Sequence, residues 1–105
     1  MAKIIKKRIR WNASVAPDVV NYRVYWNAET SPDYESQFSE FPATATEAFI
    51  PDDFPSFTVS TEGDYVFGIS AVDDVGNESD MAMSAAIPLD FNPPEAPTDI
   101  VVENV

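Results

Sequence analysis

The sequence predicts an all-β fold, an antiparallel β-sandwich of the seven-strand type. Three observations carry that prediction. Apolar and polar residues alternate over short stretches, which is the period of a strand with one buried face. Turn-forming residues recur roughly every 8–12 positions, the spacing of strands in a sandwich. No window places apolar residues at helical spacing. A closed barrel is the alternative, but Pro42, Pro51 and Pro55 suit short, broken edge strands.

Residues 64–72 form the strand around which the others are placed. Tyr65, Phe67, Ile69 and Ala71 fall on one side of an extended chain, and Val66, Gly68, Ser70 and Val72 on the other. One face is wholly apolar and the other is small and mostly apolar, as suits a central strand. Gly63 and the run Asp73-Asp74-Val75-Gly76-Asn77 punctuate its ends, because Gly and Asn tolerate the positive φ of tight turns.

Residues 3–11 alternate, with Ile9 and Trp11 expected inward and Lys6, Arg8 and Arg10 on a basic outer face. Residues 12–18, with Pro17, read as a loop. In the strand 20–26, Tyr22, Val24 and Trp26 share one face, Arg23 and Tyr25 the other. Residues 27–36 are a long polar connection. Short strands follow at 37–41 and 45–50, stopped by Pro42 and Pro51. Residues 51–55 form a turn, and Phe57 and Val59 a short strand. Beyond the turn at 73–79, Met81, Met83, Ala85 and Ile87 alternate as the last strand of the domain. The expected core is Ile9, Trp11, Tyr22, Val24, Val59, Tyr65, Phe67 and Ile69.

These residues resemble a fibronectin type III domain of the bacterial or phage kind. Arg8-Ile9-Arg10-Trp11 is similar to the end of that family's second strand, and Asn21-Tyr22-Arg23-Val24-Tyr25-Trp26 to its third. Val59 stands six residues before Tyr65, the spacing of the family's Leu and corner Tyr. Residues 65–73, followed by Gly76-Asn77-Glu78-Ser79, resemble the sixth strand and its loop. The chain departs from the family in having Val59 for Leu and Thr61-Glu62 where Pro-Gly is usual. The resemblance covers residues 4–88 and implies an immunoglobulin-like sandwich, commonly part of extracellular or surface proteins.

The resemblance also implies a first strand, and too few residues precede residue 5 to supply one. A stretch similar to that strand stands instead at 98–105, where Ile100 and Val102 alternate with Val101 and Glu103. We therefore expect a sandwich at 1–89 whose first strand is missing or supplied by another chain or module. A Pro-rich linker follows at 90–97, then a C-terminal strand at 98–105. That strand either opens a next module or is donated to a neighbour.

Composition narrows the function. At 105 residues there is room for a single core. There is no Cys and no His, so a Cys nucleophile, the commonest general base and the commonest transition-metal ligand are absent, and we expect no enzyme. Five of the six basic residues lie in the first ten positions, whereas the remainder holds one base and eighteen acids, 1 − 18 = −17. An acidic body repels nucleic acid and anionic membranes. No signal-like or membrane-spanning run is visible. The partners expected are proteins, either copies of this chain or neighbouring modules. Ile100, Val101 and Val102 would form the added strand, and Lys6, Arg8 and Arg10 its electrostatic partner.

Two binding constellations stand beside this reading. Asp73, Asp74, Asn77, Glu78 and Asp80 crowd one loop and could offer oxygen ligands to Ca²⁺, the one cofactor the sequence suggests, although their spacing is not that of an EF-hand. The aromatics Tyr25, Tyr34, Phe38, Phe41, Phe54 and Phe57 could form a sugar-stacking platform. A carbohydrate- or Ca²⁺-binding accessory module is therefore the alternative function.

Overall fold

A computed structural model describes residues 2–58 and 61–105. The described residues contain no helix, and their strands form two antiparallel sheets. The smaller sheet pairs β1 (Lys7–Arg10) with β4 (Glu47–Ile50). In the larger one, β2 (Val19–Ala28) lies between β3 (Gln37–Pro42) and β5 (Glu62–Asp73). The far side of β5 is covered by two short segments, β6 (Ala82–Met83) and β7 (Ile87–Asp90). These are halves of one interrupted edge, since both pair with β5 and their registers differ by one residue.

The core lies between the sheets. Val24 and Trp26 of β2, Ala48 and Ile50 of β4, Phe67 of β5 and Leu89 of β7 meet there. Phe54 and Phe57 stack edge-on at 6.1 Å and each packs against Trp26. Aromatic pairs at such tilts and distances add to what burial alone supplies. Tyr22, Val24 and Phe67 are buried as the alternation implies.

Three local expectations change. Phe57 is buried but lies in a turn, its N–H donating to the Phe54 carbonyl, rather than in a strand. Its expected strand partner, Val59, lies outside the described residues. The packed body also runs on to Phe91, which is fully buried and donates its N–H to the Thr61 carbonyl. Tyr25, on the outer face of β2, is only 1% exposed. The connection before β3 and the turn after β5 fold over it, so the larger sheet has a small second core on its outer side.

Gly68 shows how tight that outer layer is. A Cβ there would lie 2.9 Å from the Met83 sulfur, 3.0 Å from that of Met81 and 3.2 Å from Pro32 Cγ. Gly76 instead serves the turn, at φ +94°.

Candidate functional site

The two sheets are unequal in width, and the site follows from that. Ile9, Trp11 and Ile69 point toward the core but are only partly buried, because among the described residues no third strand covers the side where β1 faces β5 and β6. A groove of about 390 Å³ opens there, lined by Ile9, Trp11, Phe67, Ile69 and Ala82 among others. Trp11 leans on Tyr22 and Phe41 at 5.8 and 5.7 Å. Its indole N–H is buried without an acceptor among the described residues.

Among the described residues no strand pairs with the outer edge of β1. Trp11 N–H donates to the Thr46 carbonyl at 3.0 Å, continuing the β1–β4 ladder by one position. Alternate residues of an antiparallel strand hydrogen-bond to opposite sides. Lys7, Ile9 and Trp11 thus face β4, while Arg8 and Arg10 turn their backbone N–H and C=O groups toward the open side. The opposite edge, on β4, is closed: the Phe49 N–H donates to Asp53 Oδ2 at 2.7 Å and the Phe49 carbonyl accepts from the Asp53 N–H at 2.8 Å.

The basic residues flank this edge. Lys6 Nζ is 2.8 Å from Asp52, and Arg8 Nη1 is 3.9 Å from Glu47. Both pairs are about half exposed, so each contributes roughly 0–1 kcal/mol. Lys3, Lys7 and Arg10 form no ion pair among the described residues.

The C-terminal segment forms no strand and pairs with none among the described residues, and Asp99 within it has φ +49°. Ile100 and Val102 are 97% and 94% exposed, and Val101 and Val105 are exposed beside them. The tail stretches the molecule to 71 × 27 × 19 Å and its radius of gyration to 18.3 Å. A compact chain of this length would have about 13 Å.

The acidic loop is built differently from a cation site. Asp73 accepts from the N–H groups of Val75 and Asn77 and from the Asn77 amide, closing its own turn. The Asn77 backbone bond is the main cause of a lowered Asp73 pKa. Glu78 turns inward: Oε1 accepts from Arg23 Nη1, and Oε2 accepts from the Tyr25 and Ser70 hydroxyls, all at 2.7 Å. Burial pushes the Glu78 carboxyl up, but those two hydroxyls and the Arg23 charge outweigh it and hold it below its ordinary value. Burial, then the bond to Glu78, raises the Tyr25 phenol. Arg23 also binds Glu40 and lies 4.8 Å over the Phe38 ring. Its bond to Glu40 is the chief cause of a raised pKa. Among the described residues no three of His, Cys, Asp or Glu are grouped to hold a metal ion. Asp74 and Asp80 contribute no side chain to the Glu78 cluster.

The aromatics divide in a similar way. Tyr25, Phe54 and Phe57 are buried and Phe41 is half-buried, which leaves Tyr34 and Phe38 at the surface. Both rings rest on Tyr25, at 6.0 and 5.1 Å.

Sequence reasoning missed the Arg23–Tyr25–Glu78–Ser70 cluster. The only signal was a Tyr and an Arg amid an apolar strand, opposite a Ser on its neighbour. No family model matches the chain, and no curated protein matches it.

Proposed function

We propose that this chain is a non-catalytic structural and interaction module of the fibronectin type III kind. It assembles head to tail with copies of itself, or stacks so in a tandem array, by passing its C-terminal strand to the next unit. The strand order supports the family reading. In this reading β1 stands for the second strand, β2 for the third and β5 for the sixth, and among the described residues no strand lies beside β1 where the first would be.

One observation carries the assembly reading. The same chain has an open strand edge over a half-covered core and a strand-like segment with no contacts to bury it. Adding a strand to an open edge satisfies the backbone and buries alternate side chains together. Charge favours the match: the first ten residues carry +5, and residues 93–105 carry Glu95, Asp99 and Glu103 without a base.

The test is mass by light scattering for the full chain and for a chain ending at Asn92, at low and high salt. The expected result is large species from the full chain, partly dissolved by salt, and a monomer from the shortened one at low salt. A monomeric full chain across concentrations and salts overturns the reading.

A further inference from the structure

We propose that residues 100–103 of one copy add antiparallel to β1 of the next in a single register. Glu103 lies opposite Arg8, Val102 opposite Ile9, Val101 opposite Arg10 and Ile100 opposite Trp11. This rests on the head-to-tail reading above and adds to it a direction and a set of residue pairs.

Direction comes from where the strands begin and end. Trp11, at the end of β1, stacks on Tyr22 and Phe41, and Tyr22 pairs with Ala71 near the end of β5. β7 ends at the other pole, where Asp90 pairs with Glu62 at the start of β5. The tail therefore leaves the body at the pole where β1 begins. A strand antiparallel to β1 must enter at the opposite pole. The chain's own tail emerges at the wrong end for that, whereas the tail of a unit stacked head to tail arrives at the right one. A two-fold pair stacked pole to pole through the tail ends would instead bring the tail in beside the start of β1 and lay it parallel. Among units stacked end to end, antiparallel addition thus implies a polar assembly, open or ring-closed.

Register comes from three matches. Arg8 and Arg10 present their backbone groups to the open side, so their partners are the residues that exchange hydrogen bonds there. Ile9 and Trp11 face the groove, so their opposites must be apolar. Within residues 93–105 only Ile100 and Val102 supply two non-proline apolar residues at alternate positions, and Glu103 follows them. Setting Val102 against Ile9 places Glu103 beside Arg8, an opposite-charge cross-strand pair. Sliding the tail by two residues in one direction sets Val102 against the exposed Lys7. Sliding it in the other sets Asn104 against Ile9. A slip by one would turn Val101 and Glu103 toward the groove.

The chain contains no Cys, so single cysteines can be introduced cleanly. Four variants of the full chain are made: Arg8→Cys, Arg10→Cys, Val101→Cys and Glu103→Cys, all at exposed positions. They are mixed in pairs under mild oxidation. Opposed strand residues fall within disulfide reach, and diagonal ones fall beyond it. Cross-links are expected for 8 with 103 and for 10 with 101, and the wild-type oligomers should persist under both. Cross-links for 8 with 101 and 10 with 103 instead, in species of dimer mass, would overturn the register and direction while leaving strand exchange between copies intact. Large species with no cross-link in any mixture would overturn the strand pairing alone. Monomers with no cross-link would overturn this inference and the head-to-tail reading together.

Discussion

Replacing Glu78 by Ala tests whether the acidic loop is architecture or a cation site. The carboxylate accepts three hydrogen bonds at 2.7 Å, two of them from residues that are each 1% exposed, Tyr25 and Ser70. Its side chain is 16% exposed and that of Arg23 is 30%, so the ion pair itself is partly screened. Leaving a buried hydroxyl unsatisfied costs about 1–3 kcal/mol. Arg23 keeps Glu40, which limits its share. The sum for Glu78→Ala is about 3 kcal/mol, which for a domain of this size lowers Tm by roughly 10–20 °C. Glu78→Gln should cost less, about 1–2 kcal/mol, because both hydroxyls can turn to accept from its amide. The wild-type advantage should also depend on pH. The Glu78 carboxyl is lowered in the folded state, so its stabilisation is complete above the ordinary value of 4.5 and is lost as pH falls through the folded pKa. Thermal melts of the three proteins should therefore draw closer as pH falls from 7 through the folded pKa of Glu78. A loss below about 0.5 kcal/mol, within the range of ordinary surface changes, would refute the structural role. So would a rise of the wild-type Tm in millimolar CaCl₂ that Glu78→Ala abolishes, because cation binding would then use the loop.

Ile100→Asp combined with Val102→Asp should leave the monomer's Tm unchanged, since both side chains are exposed, but should abolish large species in light scattering. Burying an Ile and a Val contributes about 1.5–3 kcal/mol each, so association weakens by roughly 10²–10⁴-fold. Asp53→Ala frees the Phe49 N–H on the outer edge of β4, and faster aggregation by turbidity is expected, because a second edge becomes available. Gly68→Ala pushes a Cβ against the Met83 and Met81 sulfurs at 2.9 and 3.0 Å; flexible thioethers can yield, so a loss of about 1 kcal/mol is expected in a chemical denaturation curve.

Much of the sandwich is legible in the sequence because strand alternation reports which side of each strand faces the opposite sheet. Tyr22, Val24 and Phe67 are buried on that ground alone. Alternation does not report how wide the opposite sheet is, so Ile9, Trp11 and Ile69 look the same in sequence yet remain half-covered in the fold. The resemblance to a family with a further strand was the one clue to that deficit. Tyr25 and Glu78 were unreadable for another reason: they meet across 53 residues, through loops whose sequences mark turns and not where those turns land. Phe91 was within reach, since Ile87, Leu89 and Phe91 continue one alternation that the following prolines obscure.

The treatment of the sheet edges gives the assembly reading its specificity. An exposed edge invites indiscriminate pairing, and proteins blunt it with breaks, prolines or charges. β4 is blunted by Asp53 bonding Phe49 on both backbone groups. The β6–β7 edge is broken between Met83 and Ile87 and contains Pro88, which has no N–H to offer. β3 is a short edge that ends at Pro42. β1 has no break, no proline and no capping side chain among the described residues; it has Lys7, Arg8 and Arg10, with Lys6 just before it. Cationic side chains repel another cationic edge, including the β1 of a second copy, and so block edge-to-edge dimers. They do not repel a strand flanked by Asp99 and Glu103. The same residues that protect β1 from its own kind leave it open to the acidic tail, which predicts that raising ionic strength weakens tail binding while making β1–β1 contacts easier. A salt titration of the full chain should therefore show oligomers dissolving first. A chain ending at Asn92, which has the edge but no tail, should if anything associate more as salt rises.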